Sequence, residues 1–463
     1  MDYHNRTVLA QSMDKSHPQI GKLVHSFLKD APWLRRRVET VSFLDVDTIE
    51  RRTTLDVDIA QLKMASAKCP MDRAYPLVPI AVLRKDLLVD FDLRDRFGGA
   101  LAVVPRSVDS YFAWSALCVA ADGVLGAPLH RRSIAVATRL RELAYDFPEE
   151  NDTLYSEFLA SWEKPNSWAA EDHETWRTLL ENEGFSRLLR DLTFNFILLT
   201  QVATDSHLQI VKFSYQEYVP YTELFVTERL GLKATELSVV APSVGWGCSY
   251  HLRVEAPTDI ALTEVGLFRV QRAPVRIPGP AESYEARLGA ESVQVYTATG
   301  IERGEHVVAV SMRVQILGFL RAMWLTSVAM AGILIAGRVF ISRLETATQQ
   351  RSDAAIALLL VAPSLVAAYL VRPGEHVIAS RLLRPIRYAL AVAACLNYVG
   401  AAALVLGWRG GGLRLVWLLI AVGSGLVAAG ISLVIYLTKR DLDSATDHEG
   451  NTEQRRILVV DYT

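Results

Sequence analysis

The last third of the chain consists of four long apolar runs separated by short segments that contain arginine. About 20 helical residues cross a hydrocarbon core of roughly 30 Å. A helix of a soluble protein keeps one polar face, whereas these runs are apolar on nearly every side. The pattern therefore predicts an integral membrane α-helical region of four transmembrane helices, with the lipid bilayer as its first partner. The predicted spans are Ile316–Gly337, Ala354–Val371, Tyr388–Leu406 and Leu415–Leu437.

Small residues recur at four-residue intervals in these runs, and such rows let helix backbones approach closely in lipid. Close approach can occur within one chain or between copies, so the rows also leave room for a homo-oligomer. Asn397 lies in the row of Ala393 and Ala401, and a buried amide needs partners, which predicts an interhelical polar contact. The rows are Gly332 and Ala336; Ala389, Ala393 and Ala401; and Ala421, Gly425 and Ala429.

Lysine and arginine near the span ends predict the orientation, because cytoplasmic loops are enriched in both. One side of the membrane would carry Arg313, Arg372, Arg381, Arg384, Arg387, Lys439 and Arg440. The other side would carry Arg338, Arg343, Arg351, Arg409 and Arg414. The first 19 residues also lack the apolar stretch of a secretion signal. We therefore expect a multi-pass protein of the cell membrane with both termini in the cytoplasm.

The residues before the first span predict a soluble α+β portion. Alternating strand patterns between residues 37 and 105 favour an antiparallel meander, and a 3.6-residue period favours helices from 107 to 192. Short strands then return and favour a β-sandwich-like domain that abuts the membrane. The predicted units are 1–17, a loosely attached N-terminus; 18–192, an α+β domain; 193–314, the sandwich; 315–438, the membrane region; and 439–463, a cytosolic tail.

Three predicted strands repeat an Asp-x-Asp pattern, which places each pair of carboxylates on one strand face. Six gathered carboxylates could bind Ca²⁺ or Mg²⁺. The alternative is a solvated face on which nearby arginines balance the aspartates, and this alternative is favoured. The candidate metal ligands are Asp45, Asp47, Asp56, Asp58, Asp90 and Asp92.

A second candidate cluster is the loop that holds Arg372, Glu375 and His376, next to a Pro-Gly turn. These side chains could bind a lipid headgroup or the soluble domain, or could be an ordinary loop anchor that faces water.

No motif of a known catalytic chemistry is present. The sequence contains no phosphate-binding loop, no dinucleotide fingerprint, no nucleophile elbow and no zinc-protease motif. The net charge of −2 gives no reason to expect a nucleic-acid partner. The four cysteines include no Cys-x-x-Cys pair. No cofactor is therefore predicted.

These observations leave three hypotheses of function. The favoured one is a non-enzymatic membrane protein whose cytosolic domain binds a protein or a small ligand. The second is a pore or channel effector gated by that domain, because the last strand would run directly into the first span. The third is a metal-dependent enzyme built on the Asp-x-Asp strands. The overall plan is common among unrelated bacterial membrane proteins and indicates no particular family.

Overall fold

A computed structural model describes most of the chain. The described residues are 17–29, 31–66, 76–85, 88–146, 159–160, 169–219, 226–241, 244, 248–271, 283–288, 291–297, 306–345, 353–361, 376–446, 453–456 and 458–461. The helices before the membrane region are α1 His17–Lys29, α2 Ile59–Ser66, α3 Arg106–Leu125, α4 Leu129–Arg132, α5 Ile134–Asp146, α6 Ala170–Glu181, α7 Glu183–Phe194 and α8 Val226–Arg229. A soluble portion of helices and sheets thus precedes the membrane-length helices.

Strands from both halves of the soluble portion build the sheets. An eight-stranded sheet has the order β13-β10-β11-β8-β1-β2-β6-β4, a four-stranded sheet the order β14-β9-β12-β7, and β3 pairs with β5. The strands are β1 Leu34–Phe43, β2 Thr48–Asp58, β3 Leu77–Arg84, β4 Val89–Arg94, β5 Asn195–Gln201, β6 Leu208–Tyr218, β7 Thr235–Val240, β8 Tyr250–Glu255, β9 Ile260–Gln271, β10 Ser283–Leu288, β11 Ser292–Thr297, β12 His306–Val314, β13 Glu453–Arg456 and β14 Leu458–Asp461.

The pairing differs from the predicted meander. β1 and β2 form the expected antiparallel hairpin, but β3 pairs with β5 and β4 pairs with β6. β5 and β6 are consecutive along the chain but lie in different sheets. Pairing crosses residue 192 repeatedly, since β1 lies parallel to β8 and β2 lies antiparallel to β6. Alternation along a strand shows which side chains share a face but not which strand lies alongside.

One face of the eight-stranded sheet covers two apolar cores. The first core lies under α1, α3 and the β3–β5 pair, and α1 contributes Leu23 and Phe27, both fully buried. A Cβ on Gly21 of α1 would lie 2.2 Å from the carbonyl oxygen of Ser115 of α3, so only glycine permits this close helix crossing. The second core lies between the two large sheets, where Val41 and Val254 meet Val265 and Val310, as in a β-sandwich.

Three described helices are long and apolar enough to cross a membrane: α9 Arg321–Val339, α12 Val377–Val405 and α13 Gly411–Thr446. Large aliphatic side chains on their outer faces are exposed, which is costly in water and favourable in lipid. These features are typical of a membrane protein. Exposed examples are Leu325, Val328 and Ile335 of α9, Val392 and Val399 of α12, and Leu418, Val422 and Leu426 of α13.

The helix bounds differ from the predicted spans. α12 begins eleven residues before the predicted Tyr388, so Arg381, Arg384 and Arg387 lie on its first turns and not in a loop. Pro385 also lies inside α12. Between α9 and α12, the described residues form α10 Ile341–Glu345 and a helix at 353–361, here called α11. The rest of the predicted span Ala354–Val371 lies outside the described residues.

The chain returns to the soluble portion after α13. β13 pairs antiparallel with β10 at one edge of the eight-stranded sheet. β14 pairs in parallel with β9 at one edge of the four-stranded sheet. The predicted tail at 439–463 thus begins as the last turns of α13 and ends as strands of both large sheets.

Candidate functional site at the junction of the sheets and the helices

Arg313, at the end of β12, joins the four-stranded sheet to the last membrane-length helix. Its Nη2 donates to Oδ2 of Asp441 at 2.7 Å and its Nε donates to the same oxygen at 3.1 Å. Its Nη1 donates to the carbonyl oxygen of Gly231 at 2.5 Å, and Nη2 also reaches the carbonyl of Leu232 at 3.3 Å. Arg313 is 5% exposed, so water competes little for these bonds. One side chain thus fixes three segments of the chain together.

His376 makes a second connection, from the start of α12 to the end of β1. Its Nδ1 accepts from the backbone N–H of Ile378 at 3.3 Å, and this fixes the tautomer in which Nε2 carries the proton. Nε2 then donates to the carbonyl oxygen of Phe43 at 3.0 Å. Ile378, Ala379 and Leu382 continue into the core between the large sheets. The first turns of α12 therefore belong to the soluble portion.

The connection from β12 to α9 is short and irregular. A single π-helical turn, Ile316–Leu320, follows β12 and contains Gly318 at a φ of 102°, which favours glycine. Beside it lies a cleft of about 20 Å³ whose walls include Leu320, Leu382 and Val434 from the helices. Thr235 and Arg313 line its other side. A drug-sized ligand needs roughly 300 Å³ or more, so this cleft holds water-sized groups and is not a pocket for an organic ligand.

A buried ionic network lies on the inner face of the eight-stranded sheet, where the two apolar cores meet. Nε of Arg37 donates to Oε1 of Glu39 at 2.6 Å, and Nη1 of Arg51 donates to Oε2 of Glu39 at 3.0 Å. Nη2 of Arg51 donates to the carbonyl oxygen of Val240 on β7 and lies 3.0 Å from Oε2 of Glu217. The network therefore joins the eight-stranded sheet to the edge of the four-stranded sheet.

The charges of this network are balanced and its protonation is well defined. Burial alone would raise the pKa of Glu39, but the guanidinium groups of Arg37 and Arg51, with their hydrogen bonds, lower it to about 2. Burial raises the pKa of Tyr215 to about 12 and raises that of Tyr250 well above its usual range. Tyr250 donates to Glu39 at 3.0 Å. At neutral pH the carboxylate is ionised and both phenols are neutral, so nothing here is poised for proton transfer.

The structure does not gather the Asp-x-Asp residues. Asp56 pairs with Arg36 at 2.9 Å on the outer face of the sheet. Asp58 ends β2 and caps α2, accepting from the N–H groups of Ala60 and Gln61. Burial opposes ionisation of Asp58, but these bonds and Arg35 lower its pKa.

The other four aspartates lie elsewhere. Asp45 and Asp47 belong to the β1–β2 turn, where Asp45 accepts from the next backbone N–H and Asp47 accepts from the hydroxyl of Thr48. Asp90 accepts from Gln216, and Asp92 pairs with Arg94. Across the part of the chain that the structure describes, no three Asp, Glu, His or Cys residues could share a metal ion. Each aspartate instead has its own local partner.

Of the second candidate cluster, Arg372 and Glu375 lie outside the described residues, and His376 contacts the soluble portion as described above. Asn397 is fully buried between the helices, but its amide N–H donates to the carbonyl of Ala393 on its own helix at 2.8 Å. Its Oδ1 has no hydrogen-bond partner among the described residues, nor has the buried Oγ of Ser424 on α13. The predicted interhelical hydrogen bond of Asn397 is therefore absent from the described residues.

The small-residue rows are only partly at helix contacts. Ala393, Ala401 and Ala421 are buried, as predicted, whereas a Cβ on Gly332 or Gly425 would meet nothing within 4 Å. The closest approach is instead at Gly337, where a Cβ would lie 2.0 Å from the indole of Trp417. A Cβ on Gly400 of α12 would lie 3.8 Å from the same indole. Trp417 of α13 thus packs between α9 and α12.

Sequence reasoning missed both the junction and the ionic network. A signal for the network was available, because Arg37 and Glu39 have the same strand parity as the apolar Val41 and Phe43. Period-2 alternation therefore placed two charges on a face that is otherwise buried. No comparable signal pairs Arg313 with Asp441.

Comparisons with known proteins do not identify a family. No protein-family model matches the sequence, and no curated protein matches it. Among solved structures, a candidate protease from Parabacteroides distasonis is 9% identical, with a TM-score of 0.22 over 78% of this chain. The chain spans 58% of that protein's length. A likeness of this size supports no argument about fold or activity.

Proposed function

We propose that this is a four-span membrane protein whose cytoplasmic portion binds a protein or small ligand and passes the bound state to the helices. The observation that carries the proposal is the set of rigid connections at the junction. Arg313 holds Asp441, His376 holds β1, and the chain after α13 adds a strand to each large sheet. A change in sheet packing therefore has direct contacts through which to reach α12 and α13.

The same connections support an even number of spans. α9 starts at β12 and α12 starts beside Phe43, so both helices leave from the soluble portion. The chain must then cross back once between the far end of α9 and the start of α12. α11 lies in that interval, and its Leu359 packs with Leu413 and Trp417 in the half of the bundle distant from the sheets. This supports the fourth crossing, through α11 and the residues that follow it.

The orientation proposal rests on charge. The junction side carries more basic residues than the far side does. Among them are Arg321, Arg384 and Lys439. The positive-inside rule then places the soluble portion and both chain ends in the cytoplasm of a cell membrane.

Cysteine labelling with a membrane-impermeant reagent tests this topology on a background without native cysteines. We expect labelling in intact cells at Asp353→Cys and Gly412→Cys, both exposed on the far side, and none at Ser444→Cys. Labelling of Ser444→Cys alone would invert the orientation. Labelling of Asp353→Cys and Ser444→Cys without Gly412→Cys would remove the fourth crossing.

The transmission proposal is tested with the full-length protein in nanodiscs. A metabolite and peptide screen by thermal shift identifies a ligand, and hydrogen exchange then reports its effect on the sheets and on α12 and α13. We expect the ligand to protect both regions in the wild type but only the sheets in Arg313→Gln. A ligand that never alters the helices, or turnover of that ligand by the protein, would overturn the proposal.

The unpartnered polar atoms of Asn397 and Ser424 favour a second candidate, a gated pore. Both atoms are buried at the middle of the bundle, between an apolar cluster near the sheets and another at the far end. Polar groups in lipid usually face a partner or water. Reconstituted protein would conduct ions, and Asn397→Leu would reduce the conductance. No current in the presence of an identified ligand would exclude the pore.

A further inference from the structure

Two of the three membrane-length helices repeat one order of exposed side chains where they meet the soluble portion. Each carries a basic residue, then an aromatic residue about one turn deeper, then aliphatic residues on the lipid-facing surface. On α12 the order is Arg384, Tyr388 and Val392, spaced four residues apart on one helix face. Tyr388 is 65% exposed. Aromatic side chains at this position mark the level of the membrane–water interface.

α13 shows this order in the opposite direction, from Leu433 through Tyr436, 63% exposed, to Arg440. α9 begins with exposed Arg321 and continues with exposed Leu325, but its Trp324 is half-buried and donates to the hydroxyl of Ser432 on α13. All three helices therefore carry an exposed basic residue where they meet the soluble portion, and α12 and α13 add an exposed tyrosine.

Helix packing places these cations at similar depth. A Cβ on Gly400 would lie 3.5 Å from Leu334 and 3.0 Å from Ile420, so these three positions are level. From that level, Arg321 is 13 residues away on α9, Arg384 is 16 away on α12 and Arg440 is 20 away on α13. At 1.5 Å per residue, the three lie within about 10 Å along the bundle axis. Long basic side chains extend along a helix, so all three cations can reach the headgroups of one leaflet.

The membrane-length helices themselves offer these cations few counter-charges. α9 and α12 contain no Asp or Glu, and α13 contains only Asp441 and Asp443. The shorter contact of Asp441 is with Arg313, at 2.7 Å, and its contact with the exposed Arg440 is 3.4 Å. We define the basic collar as the exposed residues Arg321, Arg384, Lys439 and Arg440.

We propose that the basic collar is a binding surface for anionic phospholipids of the leaflet next to the soluble portion. Arginine and lysine bind phosphate through charge-assisted hydrogen bonds, and each cation near a membrane surface favours anionic lipid about fivefold. The exposed aliphatic side chains directly below offer the matching surface for acyl chains. The inference rests on the proposed insertion of the helices, but not on the proposed ligand of the soluble portion.

The test uses full-length protein in nanodiscs of phosphatidylcholine with a minority of phosphatidylglycerol. Native mass spectrometry counts the lipids that stay bound after release. The test variant is Arg321→Gln/Arg384→Gln/Arg440→Gln. The matched control is Arg338→Gln/Arg409→Gln/Arg414→Gln, which removes three arginines at the far end of the bundle, with Arg409 in the connection between α12 and α13.

We expect phosphatidylglycerol to be enriched among the lipids bound to the wild type and to the control. In the test variant this enrichment should fall about fivefold for each collar cation removed. Excess inorganic phosphate should not displace it. Displacement by phosphate would show a free-anion site instead of a lipid site and overturn the proposal, as would an equal loss in the control. Failure of the chain to enter nanodiscs would be a different result, since it refutes insertion itself. Equal melting temperatures of the two triple variants exclude misfolding as the cause.

Discussion

The guanidinium group of Arg313 and the carboxylate of Asp441 meet at 2.7 Å although 128 residues separate them along the chain. Of the described membrane-length helices, α9 and α12 lie between the two residues, and Asp441 lies near the end of α13. The contact therefore closes a loop that begins at the end of β12, runs through the bundle and returns to its starting point. It joins the last residues of β12 to the last turns of α13.

Removing this contact should loosen the junction. Arg313→Gln leaves the carboxylate of Asp441 without its buried partner and should lower stability by about 2–3 kcal/mol, the range for hydrogen bonds to charged groups. The melting temperature of full-length protein in detergent measures this. Arg440→Gln is the control, because Arg440 is exposed and its contact with Asp441 is the longer one, at 3.4 Å. Equal effects of the two variants would contradict the assigned role of Arg313.

Breaking the buried network should be more costly. Glu39→Gln leaves Arg37 buried without a counter-charge and leaves Arg51 with Glu217 alone, and breaking such pairs costs about 3–5 kcal/mol. Glu50→Gln on the opposite face of the same sheet removes a partly exposed contact with Arg52 and should cost under about 1 kcal/mol. Chemical denaturation distinguishes the two. A Glu39 variant as stable as the Glu50 variant would show that the network adds nothing.

The same carboxylate predicts an acid limit. The pKa of Glu39 is lowered in the folded state, so its contribution is full above about pH 4.5 and is lost as the pH falls towards 2. The melting temperature of the wild type should therefore fall over this window. Glu39→Gln should show a smaller fall, and an identical pH profile would refute the assignment.

Asp109 at the start of α3 predicts the opposite dependence. Burial raises its pKa to about 7, partly offset by the hydrogen bond from the N–H of Ile197 and by Lys85 and Arg106. Because the pKa of Asp109 is raised in the folded state, its protonated form stabilises that state fully below the unfolded pKa, near 3.8. This stabilisation is lost as the pH rises through 7. Asp109→Asn should therefore gain stability relative to the wild type between pH 5 and pH 8, by at most about 3 kcal/mol. Parallel melting curves at the two pH values would contradict this.

Two glycines of α9 give a matched test of bundle packing. Gly337→Ala would place a Cβ 2.0 Å from the rigid indole of Trp417, whereas Gly332→Ala meets nothing within 4 Å. Alanine favours a helix over glycine by about 1 kcal/mol, so Gly332→Ala should be neutral or slightly stabilising. Gly337→Ala should lower the melting temperature despite the same gain. Equal behaviour of the two variants would mean that Trp417 does not pack there.

The sequence located the membrane region well because lipid requires an apolar surface along the whole helix. It misplaced the start of α12 because Arg381, Arg384 and Arg387 suggested a loop, whereas long basic side chains can extend from a helix towards the headgroups. Pro385 lies inside the same helix, although proline usually ends one.

Sheet partners could not be predicted, because they depend on contacts distant in sequence. β3 and β5 are each apolar runs with no local mark of their pairing. Arg37 of β1 is almost fully buried. Its burial depends on Glu39 from the same strand and on the partner strands around it, which only the fold brings together.

The placement of β13 and β14 sets an order of synthesis. The ribosome makes both strands after α13, so β10 and β9 have no partner on those sides while the helices are being inserted. The two large sheets can be completed only once the last membrane helix has emerged. Unpaired strand edges promote pairing with other chains, so this protein is most exposed to aggregation during its own biogenesis. Membrane insertion and completion of the soluble portion are thus one assembly process.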